Sequence, residues 1–111
     1  MIASYPSRRF QIWEYRVSHA SLLIRSPKGD ESVDNIDVVF VCVDYLAMPQ
    51  LFDDLDVDRG CEDDRQALFA TLGAVDLERL FVLVSGGRRY PVVAVSCRVS
   101  QNSGDIFESP L

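Results

Sequence analysis

The chain has 111 residues, of which 48% are hydrophobic and 25% are charged, and its net charge is −6 at pH 7. This length and composition predict one folded domain over residues 1–111 and exclude a disordered chain. The negative charge repels the phosphates of nucleic acids and the head groups of anionic lipids, so we expect neither a nucleic-acid nor a membrane partner.

The N-terminal stretch MIASYPSRRFQIW indicates a cytoplasmic protein, because it has no uninterrupted apolar region of the kind that a secretory signal needs. The longest apolar stretch is also far shorter than the roughly 20 residues that span a bilayer. An odd number of cysteines favours reduced thiols over a disulfide framework. We expect Cys42 and Cys97 to be buried in apolar strands and Cys61 to be the most exposed thiol.

The first predicted elements are two strands that form a hairpin. In RRFQIWEYRV, Trp13 and Tyr15 alternate with charged residues, which predicts a half-buried strand with both aromatic side chains on one face. The following ASLLIRS is expected to pair with this strand after a Ser-His corner. The proline and glycine of SPKGDESVDN then predict an exposed loop.

Two longer apolar regions predict further strands. IDVVFVCVDYLAM is apolar on both faces and rich in β-branched residues, which predicts a central strand covered on both sides. LFVLVS and YPVVAVSCRVS are separated by a Gly-Gly sequence that can adopt the positive φ of a tight turn, so we expect a second hairpin. In its second arm, Val95 and Cys97 are expected to face inward.

CEDDRQALFATLG predicts a helix, because its acidic first turn suits the positive end of the helix dipole and Gly73 can cap its other end. The expected buried stripe of this helix consists of Ala67, Leu68, Phe69 and Leu72. The tail NSGDIFESPL is expected to fray, with Ile106 and Phe107 as the side chains that dock.

The stretch DDLDVDRGCEDD, residues 53–64, holds seven of the seventeen carboxylates and suggests a calcium loop. An EF-hand loop starting at Asp54 would need glycine at its sixth position and glutamate at its twelfth, and both positions hold arginine. The alternation of Leu55 and Val57 with aspartates favours a short edge strand that leads into the helix. We therefore expect no metal site here.

His19 is the single histidine and so the one obvious group that titrates near neutral pH. A catalytic Cys/His pair with His19 remains an alternative, because such partners are close in the folded protein and need not be close in the sequence. The cysteines lack the C-x-x-C spacing of zinc sites, and we expect no cofactor. We favour His19 as a polar residue at a hairpin corner. Trp13 and Tyr15 suit stacking on a planar ligand, although aromatic residues at strand spacing are more often core. These three residues are the candidate ligand-binding residues.

The run WEYRVSHASLLIRSP, followed by NIDVVFVCVDYLAMP, resembles a set of small uncharacterised bacterial proteins of similar length. The resemblance covers roughly the first half of the chain and contains no catalytic motif. It implies a bacterial source and assigns no activity to any residue.

These features predict an α+β fold, with a twisted, mostly antiparallel sheet of five or six strands and one helix packed across it. One short helix cannot cover strands that are apolar on both faces. The sheet therefore either curls over itself, as in a partly closed barrel or a sandwich, or forms a two-fold homodimer, which we favour. The leading function is a non-catalytic interaction or accessory protein with a protein partner. A small-molecule-binding protein that uses the Trp13/Tyr15 face is the alternative, and a hydrolase-type enzyme that uses His19 comes third.

Overall fold

Two five-stranded antiparallel sheets and one α-helix make up the described part of the chain, which comprises residues 1–29 and 32–111 of this computed structural model. The α+β class and the antiparallel pairing are confirmed. The strands outnumber the five or six expected, and they form two separate sheets instead of one sheet curled into a barrel. Asp30 and Glu31, in the predicted exposed loop, lie outside the described residues.

Each sheet draws its strands from both halves of the chain. The strands of sheet A are β1 (Ala3–Tyr5), β5 (Tyr45–Leu46), β7 (Leu55–Arg59), β8 (Leu80–Ser85) and β9 (Arg88–Val93). The strands of sheet B are β2 (Phe10–Arg16), β3 (Ser21–Ser26), β4 (Asn35–Val41), β6 (Leu51–Phe52) and β10 (Ser96–Asn102). Sheet A has the order β1-β7-β8-β9-β5 and sheet B the order β10-β4-β3-β2-β6. Both expected hairpins form, as β2 pairs with β3 and β8 pairs with β9.

The two sheets pack face to face and share one hydrophobic core. Phe40 on β4 meets Phe81 on β8 edge to face with 5.8 Å between the ring centroids, and Phe52 meets Tyr90 at the same distance. Further buried core residues from the two sheets include Leu22, Ile24, Val38, Leu55, Val57, Leu83 and Val92. The apolar faces that the sequence left uncovered therefore cover each other in a sandwich.

Two predicted strands are each divided where the chain crosses between the sheets. IDVVFVCVDYLAM becomes β4 in sheet B and β5 in sheet A, and Cys42 between them has a positive φ of 53°. Because this conformation turns the backbone out of the ladder, the alternation stops and Cys42 is exposed, contrary to expectation. YPVVAVSCRVS is divided in the same way into β9 and β10. Val95 at its crossing is 57% exposed, so its expected inward facing was wrong, whereas Cys97 does pack against the core.

The predicted helix is confirmed as α1 (Glu62–Leu72). It begins with a capping interaction in which the Asp64 carboxylate accepts a hydrogen bond from the backbone N–H of Cys61 at 2.8 Å. It ends as expected at Gly73, which has a φ of 71°. Within the described residues, no helix has the length and apolar character needed to cross a membrane.

The helix contacts the outer face of sheet A through a narrower stripe than the sequence predicted. Leu68 is its one buried residue. The buried cluster that Leu68 joins contains Val75, Leu80 and Val93. Ala67, Phe69 and Leu72 are exposed, so the expected stripe was wrong for these three. Val75, in the segment after the helix, joins this cluster. The helix therefore needs only one leucine to cover this part of the outer face of sheet A.

The acidic stretch at residues 53–64 forms β7 and leads into α1, with Leu55 and Val57 buried in the core as expected. It is not an edge strand, because β1 pairs with the side of β7 that β8 leaves open. Asp56 and Asp54 each accept a hydrogen bond from a different serine hydroxyl, at 2.5 and 2.7 Å. Among the residues that the structure describes, no three His, Cys, Asp or Glu side chains form a group suited to holding a metal ion.

Candidate functional site

A β-bulge in β2 places Trp13 and Tyr15 on different sides of sheet B. The register between β2 and β3 shifts at Trp13, which is the extra residue. The Trp13 ring lies on the outer face against Arg25, whose guanidinium carbon is 5.3 Å from the ring centroid. Tyr15 pairs with Leu22, a residue of the core face, and is 44% exposed at the strand end. The two aromatic side chains therefore do not form the expected shared face.

His19 lies at the corner of the β2–β3 hairpin, at the end of the 3-10 helix Val17–His19. It is exposed, and its imidazole makes no hydrogen bond with any described residue. The backbone N–H of Val43 donates to the carbonyl of Ala20 at 2.8 Å, which brings the exposed Cys42 to the same corner. A catalytic histidine is usually oriented by a hydrogen-bonded partner, and none of the described residues supplies one.

A buried ion pair lies on the outer face of sheet B. The register of β3 and β4 sets Arg25 opposite Asp37, and its guanidinium donates to both carboxylate oxygens at 2.6 and 3.1 Å. Both side chains are only 2% exposed. The Asn102 amide on β10 donates to the same carboxylate at 3.0 Å. Each charge is therefore matched within the sheet, which is the condition under which two charges tolerate burial.

Residues 103–111, which we call the strap, follow β10 and cross this outer face toward β2. The strap is held mainly by its backbone carbonyls, which accept hydrogen bonds from side chains of sheet B and of the adjoining loop. These pairs are Lys28 with Ser103 at 3.1 Å, Asn35 with Gly104 at 2.9 Å, and Arg25 with Ile106 at 2.8 Å. Arg16 donates in the same way to the carbonyl of Leu111. The strap crosses sheet B with a turn at Ile106 and Phe107, where the backbone N–H of Glu108 donates to the carbonyl of Asp105 at 2.9 Å.

The strap groove is the outer face of sheet B around Arg25 and Asp37, which line a cavity with strap residues. The neighbours of this pair on the same face are Trp13, Leu23 and Val39. All of these except the tryptophan are at most 3% exposed. A cavity of about 180 Å³ remains between the groove and the strap, next to the buried ion pair. The strap therefore covers the groove without filling it.

Cations line the strap groove although the chain has a net charge of −6. Arg16, Arg25 and Lys28 all donate to strap carbonyls. The strap itself carries the carboxylates of Asp105 and Glu108. Arg16 and Arg25 are paired with the carboxylates of Glu14 and Asp37 on the same sheet, so their charges are balanced within the groove.

Glu14 provides a side-chain contact between β2 and the strap. The nearby Ser109 hydroxyl and the Arg16 guanidinium, which donates to the Glu14 carboxylate at 2.9 Å, hold the pKa of Glu14 below its usual value. Because its pKa is lowered, Glu14 is ionised at neutral pH and loses this contact only in acid.

Sequence reasoning missed both the ion pair and the strap. The sequence contained a signal for the ion pair only. Arg25 and Asp37 are charged residues within two strands that are otherwise largely apolar, and a charge in a buried strand implies a partner. The strap gave no such signal, because its contacts use backbone carbonyls. Ile106 is half-buried as expected, whereas Phe107 is 88% exposed, so its expected docking was wrong.

Cys42 and Cys61 should react with a thiol reagent before Cys97. Both are exposed, whereas burial raises the pKa of the Cys97 thiol to about 12, so that little of the reactive thiolate forms. Brief labelling of the native protein with iodoacetamide, read site by site by mass spectrometry, checks this order. In urea all three thiols should react at similar rates. A native Cys97 that reacts as fast as Cys42 would contradict the facing of β10.

Comparison of the chain with known protein families, with characterised proteins and with solved structures found no match. A function for this chain must therefore be inferred from its own residues, and the strap groove is the site with the most developed geometry.

Proposed function

We propose that this chain is a non-catalytic interaction protein of the bacterial cytoplasm and that its strap groove binds a peptide segment of a protein partner. The contacts between groove side chains and strap carbonyls carry this proposal. Every extended peptide offers such carbonyls, so these contacts do not depend on the ligand's side chains. A partner segment that replaces the strap would make the same hydrogen bonds.

Opening of the strap leaves the buried ion pair intact. Arg25 and Asp37 satisfy each other within the sheet, so release of the strap removes one hydrogen bond from the guanidinium and admits water in its place. Ile106 is only half-buried, and Phe107 is exposed. Segments with few buried apolar contacts open at low free energy, which suits a strap that exchanges with a partner.

Donor side chains of the groove stand along the whole length of the strap. Arg16 and Lys28 stand at opposite ends of the strap, beside the carbonyls of Leu111 and Ser103. A partner segment that replaces the strap would accept hydrogen bonds from the same donors, including Arg25 between them. The groove is therefore the surface at which such a segment would bind.

The proposal is tested with a labelled synthetic peptide, SGDIFESPL, that has the sequence of the strap. In the full-length protein, Ile106→Gly removes a half-buried strap side chain, and Phe107→Gly is the matched control because that side chain is exposed. An intact strap competes with the peptide at an effective concentration on the order of millimolar. We therefore expect Ile106→Gly to bind the peptide at least roughly tenfold more tightly than the wild type or the control.

Peptide binding is measured by fluorescence anisotropy, and Trp13, the only tryptophan, reports on the groove itself. Its emission should shift in Ile106→Gly and return toward the wild-type spectrum when the peptide is added. A scrambled peptide should produce neither change. Equal peptide affinities for the three folded proteins, or no binding by any of them, would overturn the proposal.

A further inference from the structure

β10 is a long edge strand with an open side. All seven of its residues pair in a continuous register with β4. Among the described residues, no strand pairs with its other side, and its backbone makes no hydrogen bond outside that ladder. The remaining sheet edges, β1, β5 and β6, have only three, two and two residues. Among the edge strands that the structure describes, β10 therefore offers the longest row of open hydrogen-bonding groups.

The usual devices that protect an edge strand are missing from β10. Its sequence, SCRVSQN, contains no proline and no carboxylate, and Arg98 is its single charge. Its ladder with β4 contains no bulge. Natural proteins generally protect a long edge with such features, because an open edge pairs with other strands.

We propose that β10 pairs antiparallel with β10 of a second copy of this chain, about a two-fold axis at Val99. An axis perpendicular to the sheet keeps core-facing residues beside core-facing residues. The register centred on Val99 meets this condition and pairs the whole strand. It sets Ser96 opposite Asn102 and Cys97 opposite Gln101 of the second copy. Arg98 then faces Ser100 of the second copy, so no like charges are directly opposed.

Charges beside the two ends of β10 support this register. The guanidinium carbon of Arg59 is 5.2 Å from the Phe81 ring centroid, and Phe81 contacts Phe40, the residue opposite Cys97 in the β4–β10 ladder. At the other end of the strand, Gln101 donates to Asp34 at 3.0 Å. Because Cys97 faces Gln101 of the second copy, Arg59 approaches Asp34 of that copy. The two-fold axis repeats this opposite-charge pair.

The interface joins the sheet B of one copy to that of the other and extends the shared core. Cys97 and Val99 are half-buried against the core, and the paired strand would cover them further. A strand pair of this length falls at the low end of specific interfaces, below about 1,200 Å² in total. We therefore expect a reversible dimer that forms at high protein concentration. This interface is a strand edge, whereas the sequence argument for a dimer relied on a bare sheet face that the sandwich covers.

The test is a charge exchange followed by sedimentation equilibrium of the full-length protein from about 1 to 500 μM, a range that spans weak association. The wild type should form dimers reversibly. Arg59→Asp and Asp34→Arg should each weaken dimerisation roughly tenfold, since each sets like charges opposite one another at both ends of the interface. Arg88→Asp, in the β8–β9 hairpin, matches the charge change of the first variant and should dimerise like the wild type.

An equimolar mixture of the two single variants gives the decisive result. In a mixed dimer the aspartates of the first variant face the arginines of the second at both ends, so the mixture should dimerise about as well as the wild type. The double variant Arg59→Asp/Asp34→Arg should also recover. A wild type that stays monomeric at the highest concentration, or a dimer that neither single variant weakens, would overturn the proposal. Neither outcome bears on peptide binding in the strap groove.

Discussion

Replacing Asp37 with alanine should lower the free energy of unfolding by about 3–5 kcal/mol, because Arg25 would remain buried without its carboxylate. Both side chains are 2% exposed, and the carboxylate receives two hydrogen bonds from the guanidinium and one from Asn102. A domain of this size has a total stability of about 5–15 kcal/mol, so the variant would lose a large part of it. Urea denaturation followed by circular dichroism measures the loss.

Two further variants show whether burial of the charge is the cause. Arg9 and Asp53 form an exposed ion pair, with side chains that are 81% and 86% exposed. Asp53→Ala removes the carboxylate of this pair and should lower the free energy of unfolding by less than about 1 kcal/mol. The double variant Arg25→Met/Asp37→Leu removes both buried charges and should recover most of the stability lost in Asp37→Ala. A loss below about 1 kcal/mol in Asp37→Ala would mean that water reaches the pair.

Replacing Phe40 with alanine should also cost about 3–5 kcal/mol, because it opens a cavity between the two sheets. Phe40 is fully buried and meets Phe81 of the opposite sheet edge to face. If the sheets share one core, Phe40→Ala and Phe81→Ala should be coupled, with an interaction energy of about 0.5–1.5 kcal/mol in a double-mutant cycle. Urea denaturation of the two single variants and the double variant measures it.

Phe69→Ala is the matched control for this cycle, since that ring is 64% exposed on α1. It should change the free energy of unfolding by no more than about 0.5 kcal/mol and should not couple to Phe40. Strictly additive losses in Phe40→Ala and Phe81→Ala would contradict the sandwich, because contacting core residues are expected to couple.

The local elements of this fold could be predicted from the sequence, whereas their assembly into sheets could not. The alternation in Phe10–Arg16 and the Gly86-Gly87 turn act over a few residues, and both hairpins follow from them. The crossings between sheets occur at Cys42 and at Ala94-Val95, where apolar residues continue the apolar pattern. Periodicity shows which residues share a face and carries no information on which sheet a strand joins.

The candidate site could be predicted only in part, because local patterns do not show which residues of different strands meet. Trp13 was a candidate ligand-binding residue and does line the strap groove, but a bulge that no local pattern signals separates it from Tyr15. Arg25 and Asp37 interrupt largely apolar strands, a signal of a buried pair that sequence reasoning missed, and only the register of β3 and β4 sets them opposite each other. The ligand-binding role of Trp13, Tyr15 and His19 stays a prediction.

The pairing of β10 with β4 has a consequence for synthesis of the chain on the ribosome. β4 leaves the exit tunnel long before Ser96–Asn102 and the strap are made. At about 5–20 residues per second, the delay is on the order of several seconds. Throughout this time one edge of β4 is open, and Arg25 lacks the hydrogen bond that it donates to the strap. Nascent chains therefore pass through an aggregation-prone intermediate. Slower elongation, or neighbouring ribosomes on one messenger RNA, would favour aggregation of this intermediate over native folding.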